Sequence, residues 1–298
     1  MARFPRFMST LTPNRQPPAP LSENARNALL TLLGDEDPEV YKVIRGTILA
    51  HGPVVVDWLR PHTISREPVL RRRALDIIAH FERQNTDNCF LGFCVSHGED
   101  LNLEQGIWLL ARTRYPDLNI AAYEAMLDSF AAELRERLDL SGDIGVTLAT
   151  INRFVFEHLE FQGDAKDYYH PDNSYLNRVI DRRLGNPISV CVLYMLIAKR
   201  LRLPITGIGM PGHFICRHQS AVREYYIDVF NKGRLLSRND CVKFLVSTGH
   251  ESFEIFLTPM SPRRILLRMC SNLHQIYTNL GRPAEVERFQ RYIVALSK

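Results

Sequence analysis

The chain predicts an α+β fold with a helical N-terminal region, a core of one helix packed on an antiparallel sheet, and a C-terminal helical hairpin. Three observations predict it. Apolar residues recur at helical spacing through residues 22–140. A strongly apolar helix opening at Asn186-Pro187 is followed by three short β-like runs with turn residues between them. Two amphipathic stripes then flank Gly281-Arg282-Pro283.

The N-terminal region reads as one short helix after another. Leu29, Leu30, Leu32 and Leu33 end at Gly34, and Asp37-Pro38 supplies an N-cap with proline in the first turn. Val40, Val43, Ile44 and Ile48 continue until Gly52-Pro53. Leu70, Ala74, Ile77, Ile78 and Phe81 form a second stripe, and Leu103, Ile107, Leu110 and Ala111 a third that Tyr115-Pro116 ends. Tyr123, Met126, Leu127, Phe130 and Leu134 form a fourth. Leu32–Val40 resembles the opening of a HEAT repeat, as stacked helical pairs would.

A helix over Leu148–Leu159 begins the next segment, and Phe161-Gln162-Gly163 closes it. The aromatic stretch Asp167–Asn173 has the composition of a structured loop. Asn186 then caps a helix with Pro187 at its first position, running to Leu201. Strand-like runs at Ile205–Met210, His213–Arg217 and Arg223–Phe230 are separated by Pro211-Gly212 and Gln219-Ser220-Ala221. Beyond them, Arg264–Leu280 and Ala284–Leu296 form a helical hairpin of tetratricopeptide type. The expected organisation is a disordered proline-rich tail at 1–20, a helical region at 21–141, a core at 142–260 and a hairpin at 261–298.

Composition narrows the function classes. Of 298 residues, 45% are hydrophobic and 23% charged, as in an ordinary globular protein. The net charge of +4 is spread over 37 basic and 33 acidic residues, which argues against nucleic acid. The clusters Arg71-Arg72-Arg73 and Arg182-Arg183 read as solvated helix faces. No apolar run approaches the ~20 residues that span a bilayer, so no membrane partner is expected. Cysteines at 89, 94, 191, 216, 241 and 270 all lie among apolar neighbours, consistent with reduced, buried thiols in a cytoplasm. Cys89 and Cys94 lack the spacing of a zinc knuckle, and there is no glycine-rich phosphate loop. Neither metal nor cofactor is expected.

The segments Tyr168–Asn177 and Asp181–Ser189, with Pro211-Gly212-His213-Phe214 and Ile227-Asp228-Val229-Phe230, resemble the bacterial SirB-type branch of the transglutaminase-like superfamily. That resemblance implies a papain-like core. Its nucleophilic cysteine starts the core helix, and a histidine and an aspartate follow on successive strands. A helix N-terminus lowers a thiol pKa, an imidazole takes the proton, and a carboxylate fixes the imidazole tautomer. His213 and Asp228 carry over as the last two, but the superfamily's Gly-x-Cys falls on Gly185-Asn186-Pro187. Ser189 and Cys191 are the nearest substitutes. Cys191 lies about one turn past Pro187 in an apolar run, where the dipole field has faded and burial raises a thiol pKa. Asn173, Asp181 and Arg182 either brace the loop before the core helix or line a pocket, and Cys216 reads as core packing. Two functions follow from the resemblance. One is a catalytically inactive module that binds a peptide or protein through the old cleft. The other is a cysteine-dependent acyl transferase or hydrolase with a displaced nucleophile.

Overall fold

The computed structural model describes residues 21–139, 142–219, 224–251 and 253–298. The predicted tail at 1–20 and the turn at Ser220-Ala221 lie outside the described residues. Two compact units, Met1–Asn85 and Thr86–Lys298, divide the chain. The division falls inside the predicted 21–141 region, while residues 142–260 and 261–298 share one unit. Shared burial is the physical reason, because the C-terminal helices and the core helix contribute to the same apolar cluster.

In the first unit, α1 (Glu23–Leu33) ends at Gly34, and Asp37 caps α2 (Pro38–Ala50) by accepting from Glu39 N at 2.8 Å. A short α3 (Val55–Leu59) and the first part of α4 (Pro68–Ser96) complete it. Leu33, Ile48, Val55, Leu59, Ala74 and Ile77 are its innermost residues. Val43, placed on the predicted stripe, is exposed. Arg73 is buried rather than solvated, because its guanidinium donates to the carbonyls of Leu33, Asp35 and Glu36 at the end of α1.

The second unit is built around a helix buried on every side. After α5 (Leu103–Arg114), α6 (Ile120–Arg137) and α7 (Ile144–Arg153), the chain makes one π-helical turn over Phe154–His158. The helix predicted over Leu148–Leu159 thus starts earlier and ends in that turn. A two-residue β1 (Gln162–Gly163) pairs in parallel with β2 (Leu184–Gly185), and α8 (Leu176–Arg182) lies between them in sequence. Then comes α9 (Pro187–Arg200), with Pro187 at its first position and Asn186 accepting from Ser189 N at 3.0 Å. Eleven of its 14 residues are buried, so its lack of an amphipathic stripe reflects a central position.

The sheet is an antiparallel meander of β3 (Ile205–Ile208), β4 (Ile215–Gln219), β5 (Glu224–Asp228) and β6 (Arg234–Leu236) in that order. The first three strands fall inside or beside the predicted runs. β6, α10 (Arg238–Ser247) and α11 (Phe253–Leu257) are additions, and α10 opens with a capping box between Ser237 and Asp240. The hairpin is α12 (Pro262–Asn279) and α13 (Pro283–Leu296). Leu266, Met269, Cys270, Leu273, Phe289 and Tyr292 bury its apolar face in the core shared with α9. Arg263 pins it, donating to the carbonyls of Cys94, His97, Ala295 and Leu296 at 2.7–2.9 Å.

Candidate functional site

The N-terminus of α9, the turn before β4, the end of β5, β6 and the following helix α10 meet at a cleft of about 520 Å³. Its lining includes Pro187, His213 and Asp228, with aromatic walls from Tyr168, Phe230 and Phe244. His213 does not lie on a strand as predicted. The Pro211-Gly212 turn, with Gly212 at φ +67° and His213 N donating to Met210 O at 3.2 Å, delays β4 until Ile215. Arg268 of α12 fixes this turn by donating to Met210 O at 2.6 Å and His213 O at 2.8 Å.

Asp228 is the last residue of β5, and its Oδ1 lies 2.9 Å from His213 Nε2. Asn231 completes the brace, its side-chain amide donating to Asp228 Oδ2 at 2.7 Å. Burial acts to raise the Asp228 carboxyl, but the hydrogen bonds from His213 and Asn231 outweigh it and hold the carboxyl below its ordinary range. With Asp228 ionised, Nε2 carries the hydrogen of this contact, so Nδ1 is the ring nitrogen it leaves over. Among the described residues Nδ1 makes no hydrogen bond.

No thiol takes the nucleophile's place. Pro187 is a cleft wall. Cys191, one turn deeper, is fully buried, and its Sγ donates to Phe214 O at 3.4 Å. Burial, then the neighbouring Cys216, pushes its thiol well above the ordinary value. Cys216 is itself buried, donating to Cys191 O at 3.6 Å. One thiol that the sequence reading passed over, Cys241 on α10, does line the cleft. Burial and then the carboxylates of Asp240, Glu224 and Asp228 push it up to about 12, so thiolate is scarce at neutral pH. Cys89 is exposed, against the expectation that all six cysteines are buried, because it sits on the outer side of α4.

The other predicted site residues do not line the cleft. Asn173 and Ser189 are fully buried braces. Asn173 donates to Asp164 Oδ2 at 3.2 Å and Asp167 O at 2.8 Å, and accepts from Arg182 at 2.9 Å. Ser189 Oγ donates to Asn173 O at 2.5 Å and Asn186 O at 3.1 Å. Asp181 accepts from Tyr123 at 2.9 Å and Arg178 at 3.0 Å. Arg182 and Arg183 are half-buried rather than solvated, Arg183 stacking on Phe161 and Phe130. Asn173 and Arg182 hydrogen-bond within the loop before the core helix, and Asp181 bonds to Tyr123 and Arg178. Asn173 and Arg182 both meet Asp164, which the sequence did not single out. Tyr168, Phe230, Asn231, Arg234, Lys243 and Phe244 were missed for a common reason. They come from the Tyr168 loop, the turn after β5, strand β6 and helix α10, which only folding brings together.

Among the described residues, no three His, Cys, Asp or Glu side chains gather as a metal cage, and no helix is long and apolar enough to cross a membrane. Residues 121–271 match the family model of the Transglutaminase-like superfamily. A UPF0162 protein of Xylella fastidiosa is 35% identical over 192 residues, covering 62% of this chain and 68% of that protein. A UPF0162 protein of Pseudomonas aeruginosa is 28% identical over 213 residues, 67% of this chain and 74% of its own length. F-box only protein 21 of Mus musculus is 31% identical over 169 residues, which is 54% of this chain but 25% of the mouse protein. No solved structure matches.

Proposed function

The chain belongs to the transglutaminase-like superfamily, and on that premise we propose that it is a catalytically inactive member whose cleft binds a peptide or a protein segment. The SirB-type branch, carried by the 168–189 motifs, is part of the same reading. One observation carries it. Pro187 stands at the helix position where the resemblance puts the nucleophile, beside a His213–Asp228 pair that is otherwise complete. Triad chemistry needs a thiolate within about 3 Å of the imidazole and of an acyl carbon. Pro187 offers none, and Cys191 is committed to Phe214 O beneath the cleft floor. What remains is an open, aromatic-walled groove with an imidazole held in place by Asp228, a surface suited to an extended chain.

The retained pair favours one other reading, a cysteine-dependent acyl transferase or hydrolase using Cys191 or Cys241. Thiol labelling separates the two. Iodoacetamide at pH 7.5, with sites mapped by mass spectrometry, is expected to modify Cys89 while Cys191 and Cys241 stay unmodified until the protein unfolds. Fast labelling of either cleft-side thiol, slowed by His213→Ala, would establish the enzyme instead. For binding, a peptide array is probed with the full chain and with Phe244→Ala. Spots that depend on Phe244 support the cleft; an array that neither protein stains, or that both stain alike, removes the binding reading.

A further inference from the structure

The two halves of the His213–Asp228 pair sit on separate turns, and each turn needs an anchor. Arg268 of α12 supplies one for His213. Asp228 depends on residues 229–233, which carry Phe230 and Asn231 into the cleft before the chain reverses into β6. Gly233 N donates to Asp228 O at 2.9 Å, and Asn231 Nδ2 donates to Asp228 Oδ2 at 2.7 Å. The carboxylate therefore points where this turn directs it. The turn itself is strained, because Lys232 at φ +57° precedes Gly233 at φ +72°. A side chain in the left-handed region costs free energy that contacts from outside must offset.

Asn152 of α7 makes that contact. Its Nδ2 donates to Gly233 O at 2.7 Å, and its Oδ1 accepts from Tyr194 OH at 2.9 Å. A backbone carbonyl only accepts, so the amide has one orientation, with its NH2 toward Gly233 and its oxygen toward the phenol. Tyr194 lies on α9 and is fully buried, which gives the amide a rigid support. Gly233 is needed for the approach as well as for its φ, since a Cβ there would lie 2.4 Å from Asn152 Cγ. We infer that Asn152 is a positioning residue of the cleft. It ties the 229–233 turn to the core helix through Tyr194, and so sets the carboxylate that holds His213. It does not line the cleft and acts only through Gly233 and Asp228. This role goes beyond the binding reading, because it holds for any occupant of the cleft.

The test is NMR of the full chain labelled with 15N, reading the His213 Nε2–H resonance and the exchange of backbone amides with solvent. The imidazole signal is assigned by its loss in His213→Ala. Asn152→Ala and Asn152→Asp both remove the donor to Gly233 O, and the second keeps an acceptor for Tyr194. Each is expected to abolish the Nε2–H signal and to speed exchange at Asn231 and Gly233 about tenfold, with the α9 amides unchanged. Tyr194→Phe separates positioning from general support. It deletes a buried hydroxyl and lowers stability, yet leaves the donor to Gly233 O, so the imidazole signal and the slow amides should persist. A folded Asn152 variant that keeps both readouts overturns the inference. So does Tyr194→Phe that loses them as Asn152→Ala does, or unfolding of both Asn152 variants, since either would make Asn152 a support of the whole unit.

Discussion

His213 Nε2 lies 2.9 Å from Asp228 Oδ1, joining a turn before β4 to the end of β5 across fifteen residues of chain. The contact is internal to the protein and needs no third catalytic group. Nε2–H gives Asp228 a donor, and Asn231 gives it another. A pair of this kind holds the cleft in shape whether or not chemistry follows.

That pair makes stability depend on acid. The folded Asp228 carboxyl titrates below its ordinary value of about 3.9, so its contribution is fully present above that value and is lost as pH falls through the lower folded one. Asp228→Asn would turn a donor toward either His213 or Asn231, costing about 1–3 kcal/mol at pH 7. Urea unfolding at pH 7 and near pH 3 should show the variant's deficit shrinking in acid. A deficit that is constant with pH would mean the carboxylate charge is not what stabilises the site.

Gly163 is required by Phe230. A Cβ at residue 163 would lie 2.4 Å from the Phe230 ring, which walls the cleft and meets His213 edge-on at 6.2 Å between centroids. Gly163→Ala is expected to cost about 1–3 kcal/mol by overpacking. In a Phe230→Leu background the same change should cost much less. An equal cost in both backgrounds would place the clash elsewhere.

Arg263 should dominate the docking of the C-terminal hairpin. Replacing it with Met leaves the carbonyls of Cys94, His97, Ala295 and Leu296 without their shared donor, at a cost of about 3 kcal/mol or more. Arg263→Lys should recover only part of this, since an ammonium lacks the planar fork. Denaturation curves decide the matter, and a loss under about 1 kcal/mol for the Met variant would show that apolar burial alone holds the hairpin.

The loop that carries Tyr168 hangs on Asp164. Burial acts to raise this carboxyl, but hydrogen bonds from Asp167 N and Asn173 and the charge of Arg182 hold it low. Asp164→Ala should cost about 2–3 kcal/mol by stranding Asn173 and Arg182. It should also raise amide exchange across residues 164–175 relative to the α9 core. Exchange that rises equally in α9 would mean the brace supports the whole unit rather than the loop.

Residue pattern alone determined the longer helices with clear caps and stripes, since those signals are local, while α3, α8, α10 and α11 went unread. Asp37-Pro38 and Asn186-Pro187 open helices, and the apolar run after Pro187 is the buried centre. The order of helix and antiparallel strands was legible from pattern, and the pairing of His213 with Asp228 was implied by the family resemblance. Tertiary structure decided what depends on neighbours distant in sequence. It set Asn173, Arg182 and Ser189 as braces around Asp164, sealed Cys191 beneath Phe214, exposed Cys89, and built the cleft from Tyr168, Phe230 and Phe244. β1, β2 and β6 escaped because strands of two or three residues show too little alternation to read. Arg73 in its triplet reads as solvated until the carbonyls at the end of α1 are placed against it. A polar side chain's role follows from the partners that folding brings to it, and those are not written beside it in the chain.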